Sequence, residues 1–195
     1  MSWDTGVKVV RSCPFMRFDG LVFVRWHVMR LLRLLDKEHP STEFLIYARR
    51  REEDDNIIIV EDPAIPEQRV TAASVHVEKP DGDRDVVIHK HPSGLHDFSS
   101  IDDEYINANN ALSLLYSDGR IVAAAVKKRL PCGNYAIIEV PIDNVQVLVV
   151  GSIEEEEEMA KRVFEEQGGN IKPYYSYYYG YTRTGGYTRY GLGGR

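Results

Sequence analysis

The segment from Val86 to Asp102 constrains this chain more than any other, because it reads as a strand ending in paired imidazoles and followed by a capped helix. Val86-Val87-Ile88 is a β-branched run of the kind that suits a pleated, half-buried strand. His89 and His91 stand at its end, two apart, so their side chains leave one face with Cα atoms roughly 6.5–7 Å from each other. Two imidazoles at that spacing can lean onto a single ion at about 2.0–2.1 Å each. Lys90, between them, turns to the opposite face, where its ammonium needs solvent or an acid. Pro92 has no N–H for the sheet ladder and stops the strand. After a polar loop, Ser99-Ser100-Ile101-Asp102 reads as a helix start, a hydroxyl with an acid three residues on. Asp102 in that first turn is placed to be a third ligand. Two histidines and one carboxylate on zinc leave the fourth tetrahedral position to water, as in catalytic sites; structural zinc is closed by four protein ligands. Magnesium and calcium prefer oxygen shells, whereas non-haem iron uses the same set as zinc.

His89-Lys90-His91-Pro92, six further residues, Ser99, two more and Asp102 follow one another without a gap. In this signature the chain resembles the JAMM (MPN-plus) zinc metalloproteases, the family of the proteasome-lid deubiquitinase, and is closest to their shorter archaeal and bacterial members. The bacterial RadC proteins share the spacing, including Pro92-Ser93-Gly94. The resemblance covers roughly residues 20 to 150, by order of elements more than by identity.

The resemblance implies an α+β fold of α/β/α-like layers, a curved mixed sheet flanked by helices (the JAB/MPN fold). It implies Zn2+ held by His89, His91 and Asp102, with a catalytic glutamate from an upstream strand. Glu43 fits that place, since it follows a helix and the His39-Pro40 turn and opens the next strand. Glu52, Glu53 and Glu61 compete less well, lying in or beside the charged stretch Arg49 to Asn56, which reads as a solvated hairpin loop. The implied chemistry is amide hydrolysis by zinc-activated water, with Glu43 as general base and Ser99 as oxyanion donor; the substrate is most often the isopeptide bond of a ubiquitin-like modifier. Ser99 also suits the helix cap, a role open to Ser100 as well. Two alternatives stand beside it: a zinc hydrolase of small amides or sulfur-carrier adducts, and a non-enzymatic MPN scaffold. The chain departs from the family at Phe44-Leu45-Ile46-Tyr47, where a Gly-Leu-Leu-like run is usual, and at Lys90, where Ser or Thr is usual. His96, a third histidine, reads as exposed.

Elsewhere the pattern alternates between strands and helices. Thr5–Arg11 and Gly20–Arg25 read as strands, and Trp26–Glu38 carries apolar Val28, Leu31, Leu32 and Leu35 at helical spacing. Ile57–Glu61 and Val70–Val77 read as strands, and a helix is expected from Ser100 to about Ala108. Leu112–Tyr116 and Arg120–Lys127 pair across Ser117-Asp118-Gly119. Tyr135–Val140 and Val145–Val150 complete the sheet. Glu154–Gln167 reads as a helix whose leading glutamates suit the positive end of its dipole and form a solvated face, with Gly168-Gly169 as its stop. The expected organisation is an N-terminal extension over 1–19, a catalytic domain over 20–152, an acidic helix over 153–168 and a Tyr/Gly/Arg-rich flexible tail over 169–195. The tail is read as a docking segment for the proteasome or another protein complex.

With 195 residues the chain is long enough for one domain with a sizeable core. It shows no run of 18 or more apolar residues, and Asp4, Lys8 and Arg11 interrupt any early apolar stretch, so neither a membrane span nor a signal peptide is expected. Cys13 and Cys132 form no Cys-x-x-Cys pattern, and whether they pair is not fixed by their positions. A formal net charge of −6 argues against nonspecific nucleic-acid binding. The expected setting is cytoplasmic, and the expected partner a ubiquitin-like modifier or its conjugates.

Overall fold

The apolar stripe between Trp26 and Glu38 forms the helix it predicts, with Val28, Leu31, Leu32 and Leu35 buried on one side. The helix ends where the His39 N–H donates to Leu35 O at 2.8 Å and Pro40 follows. This is seen in a computed structural model that describes residues 9–11, 18–54, 56–100, 102, 107, 109–130 and 134–174. Strands β1 (Val9–Arg11) and β2 (Leu21–Arg25) precede that helix, α1 (Trp26–Glu38). Then come β3 (Phe44–Asp54), β4 (Ile57–Ala64), β5 (Gln68–Val70), β6 (Val75–Val77) and β7 (Val86–Lys90). Strands β8 (Leu112–Ser117), β9 (Arg120–Arg129), β10 (Tyr135–Glu139) and β11 (Val145–Leu148) follow, then helix α2 (Ile153–Gln167) and β12 (Ile171–Pro173).

Among the described residues, nine strands form one mixed sheet in the order β1-β10-β9-β8-β7-β3-β4-β2-β11. Three short strands form a second sheet, β12-β5-β6. The fold is α+β, as expected. Strand alternation divides the central strands between two faces. Phe44, Ile46, Ala48, Val86 and Ile88 join α1 in the main core. Leu45, Tyr47 and Val87 face the other way, against Val75 and Val77 of the second sheet. The β8–β9 hairpin turns at Asp118 and Gly119, with φ of 51° and 78°. Two successive positive φ angles match the right-handed twist of the flanking strands.

Three expectations need correction. The charged run from Arg49 is not a loop, because β3 continues to Asp54. Its charges are met across the sheet, Arg51 Nε donating to Glu61 Oε1 at 3.0 Å and Arg50 Nε to Asp85 Oδ2 at 2.9 Å. Opposite charges facing one another across strands favour pairing that the composition alone would discourage. The acidic helix is not solvated all round either, since Glu156 is fully buried. The helix does stop where expected, with Gly168 as its C-cap at φ −56° and a tighter turn running on to Asn170. Ile171–Pro173, expected in the tail, pairs in parallel with β5. Of the expected strand over Thr5–Arg11, residues 5–8 lie outside the described residues, as do Cys13, Cys132 and residues 175–195. Ser100, Asp102 and Asn107 are helical, and the rest of the expected 100–108 helix lies outside the described residues. No helix among the described residues is long and apolar enough to cross a membrane.

Candidate metal centre

The site is built by strand register. In the antiparallel β3–β7 pair, Leu45 stands opposite His89 and Phe44 opposite Lys90, so one step further Glu43 comes beside His91. Alternation then puts Glu43, His89 and His91 on the face away from the main core. The ladder continues past β7, the His91 N–H donating to Tyr116 O at 3.0 Å. On the other side the Glu43 N–H donates to Thr71 O at 2.8 Å, and the Gln68 side chain brackets Leu45. Leu45 N–H donates to Gln68 Oε1 at 2.9 Å, and Gln68 Nε2 donates to Leu45 O at 2.7 Å. A buried amide thus stands in for a neighbouring strand along this stretch of β3.

Asp102 enters from the helical turn after the loop. The Asp102 N–H donates to Ser99 Oγ at 3.1 Å, and the Ser99 N–H donates to Asp102 Oδ2 at 2.7 Å. This reciprocal pair is a capping box with an aspartate in the acid position. It makes Ser99 the cap rather than Ser100 and fixes the carboxylate at the helix mouth. From there Asp102 Oδ1 lies 3.2 Å from His89 Nδ1 and Oδ2 lies 3.3 Å from His91 Nε2. Glu43 Oε2 lies 3.5 Å from His89 Nε2. The two imidazoles meet edge to face with centroids 4.6 Å apart. The four residues of the spacing signature and Glu43, implied by the resemblance, therefore converge on one place.

The donor set suits a cation. Asp102, His89 and His91 are buried, and Glu43 is nearly so. The Nδ1 atoms of His89 and His91 are shut off from water with no aligned hydrogen-bond partner among the described residues. Two carboxylates and two neutral rings would leave an uncompensated buried negative charge, which is costly unless a cation or protons balance it. The ring of His89 registers that field: burial pushes its pKa down, but Asp102 and then Glu43 outweigh burial and raise it to about 8. Burial opposes ionisation of Asp102, yet the side chains of His89, His91 and Ser99 hold its carboxyl well below the usual range. Donor atoms of Glu43, His89 and His91 all lie within 4.8 Å of one another, close enough to share a metal ion. That group contains Glu43 where the sequence reading had Asp102, whose carboxylate lies against both rings.

Several residues around this centre have no local signal in the sequence. Lys90 is buried, and its ammonium meets Asp36 together with three main-chain carbonyls. Asp118 accepts hydrogen bonds from Ser93 Oγ at 2.5 Å and the Gly94 N–H at 3.2 Å, and lies 2.7 Å from His96 Nε2. These contacts tie the loop after Pro92 to the β8–β9 turn and hold the Asp118 carboxyl down at about 2. His96 is exposed, as expected, but it is a partner of Asp118 rather than of the metal-capable group. A cleft of about 390 Å³ touches His91 but is otherwise walled by Arg33, Asp36, Lys90 and Tyr116, on the α1 side of the sheet.

No protein-family model matches the chain, and no curated protein matches it. Among solved structures, the chain is similar to one described as "JAMM: A Metalloprotease-like Zinc Site in the Proteasome and Signalosome", at 15% sequence identity and a TM-score of 0.36, over 66% of this chain and 99% of that one.

Proposed function

We propose that this chain is a zinc-dependent hydrolase of the JAMM type that cleaves amide bonds, with ubiquitin-like modifiers, their conjugates or their precursors as substrates. One observation supports it above all: two buried imidazoles share the Asp102 carboxylate, with Glu43 beside them on the same sheet face. In this reading His89, His91 and Asp102 hold the metal. Zinc bound there would lower the pKa of a water toward ~7 and polarise the substrate carbonyl. Glu43 takes the proton of the attacking water and returns it to the leaving amine. Ser99 Oγ accepts the Asp102 N–H, and its hydroxyl turns to donate to the developing oxyanion. The choice of isopeptide substrate rests on the His89-x-His91-Pro92…Ser99…Asp102 signature. The segment beyond residue 174 then serves as a docking element toward a larger protein complex in the cytoplasm.

The test is metal content together with cleavage of a ubiquitin-like conjugate for wild type, Glu43→Gln and His91→Ala. Glu43→Gln is expected to keep its zinc and lose turnover, and His91→Ala to lose both. Cleavage that persists in chelator, or a wild type that takes up no zinc, would overturn the proposal. Turnover of small amides with indifference to conjugates would keep the metal chemistry and replace the substrate class.

A further inference from the structure

We propose that Lys90 is a positioning residue that sets Glu43 against the histidine strand; the inference rests on the hydrolase reading above and assigns a further residue to it. Lys90 is 2% exposed, although a charged lysine is almost never buried without partners. Its Nζ donates to His39 O at 3.0 Å, Pro40 O at 2.8 Å and Thr42 O at 2.9 Å. An ammonium has three N–H donors, so these carbonyls use all of them. Asp36 Oδ1, 3.1 Å away, supplies the counter-charge from the last turns of α1. The negative end of the helix dipole lies at the same place and favours the cation further.

What these contacts join gives Lys90 its role. On one side it is covalently between His89 and His91. On the other it grips the complete turn that leads into Glu43, ending at the carbonyl of Thr42, the residue immediately before it. Glu43 precedes β3, and its own N–H is held from the opposite side by Thr71 O. One buried side chain therefore ties the backbone that carries the candidate base to the backbone that carries two candidate ligands. The chain places this lysine on the face away from the metal-capable group, so Lys90 acts through the placement of Glu43 and not by touching substrate.

The experiment uses the full chain with Lys90→Met and, as a milder second variant, Asp36→Asn, which keeps the lysine and its carbonyl partners. Zinc affinity, kcat, KM and amide hydrogen exchange are measured for each. Lys90→Met is expected to bind zinc within about twofold of wild type and to keep KM within about threefold. Its kcat should fall on the order of 10²-fold, the cost of displacing a catalytic group by about 1 Å. Amides of residues 41–43 should lose protection while those of β7 and β8 keep theirs. Asp36→Asn should move the same quantities in the same direction by a smaller factor. Unchanged exchange at 41–43 in folded Lys90→Met overturns the proposal, as does zinc affinity falling in step with kcat. Should Lys90→Met not fold, Asp36→Asn with wild-type exchange and kcat overturns it. If wild type hydrolyses nothing, the hydrolase reading fails on its own, and hydrogen exchange still decides whether Lys90 holds Glu43 in place.

Discussion

Ser99 and Asp102 exchange hydrogen bonds, each backbone N–H donating to the other's side chain. In the proposed hydrolase the serine would have two separable effects, one on the helix cap and one on chemistry. Losing a cap costs about 1 kcal/mol of stability, whereas losing an oxyanion donor costs on the order of 10²–10³ in kcat. Ser99→Ala should show both: a modest drop in unfolding free energy and a kcat loss of that size, with zinc stoichiometry unchanged. A kcat within threefold of wild type would leave Ser99 as a cap alone. The convergence of His89, His91 and Asp102, with Ser99 as cap, was legible because strand alternation and helix capping are local rules and the spacing satisfied both; Glu43 was reached only through the family resemblance. Lys90 was not legible. Alternation placed it on the correct face, but whether that face is water or protein depends on α1 ending beside β7. Asp118 was equally hidden, since a hairpin turn residue gives no sign that a loop 25 residues away will fold onto its carboxylate.

At the level of elements, α2 is where composition misled most. Ser152 and Glu155 form a capping box, with Glu155 N–H donating to Ser152 Oγ at 3.1 Å and Ser152 N–H donating to Glu155 Oε2 at 3.0 Å. The next glutamate does the opposite of what an acidic run suggests. Glu156 Oε1 accepts from Arg25 Nε at 2.8 Å, from Arg25 Nη2 and from the Val150 N–H at 3.1 Å. Its Oε2 accepts from the His27 N–H at 2.9 Å and meets His27 Nδ1 at 2.5 Å. Burial disfavours the charge, but Arg25 and then His27 outweigh it and lower the pKa to about 2. One carboxylate thus pins α2 to the junction of β2 and α1. A folded pKa below the unfolded value of 4.5 means the stabilisation is complete above that value and is lost as pH falls toward about 2. Glu156→Gln should destabilise the chain at pH 7 by on the order of 3 kcal/mol, since Arg25 is left without its main partner. In denaturant titrations the gap between wild type and variant should close between pH 4.5 and 2. A gap that stays constant across that range would show that Glu156 is not ionised in the folded protein. The pattern of charges along β3 misled for the same reason: partners such as Glu61 on β4 and Asp85 just before β7 are remote in sequence, and a linear reading cannot see them.

Across the whole molecule, most elements and their order were readable, although the expected strand Val70–Val77 turns back on itself between β5 and β6 and β12 was not foreseen; the sheet order was not readable. Neighbours such as β1 with β10 and β2 with β11 are distant in sequence, and no local pattern encodes their pairing. The same long-range wiring makes the candidate metal centre a property of the folded chain. Its groups come from the approach to β3, from the end of β7 and from a helical turn after the loop, so an unfolded chain does not present them together. A metal that binds only the folded form adds RT ln(1 + [L]/Kd) to stability, about 4 kcal/mol at a thousandfold excess over Kd. At this chain length each kcal/mol moves the melting temperature by about 2–4 °C, so saturating zinc should raise Tm by about 8–16 °C over the chelator-treated protein. Two variants separate this linkage from general stability. Leu32→Ala removes a fully buried side chain of α1 and should cost about 2–5 kcal/mol, with the zinc increment intact. His89→Ala should instead abolish the increment. Calorimetric scans with and without zinc decide the matter: a wild type whose Tm ignores the metal would mean that the buried imidazoles and carboxylates are balanced by protons instead.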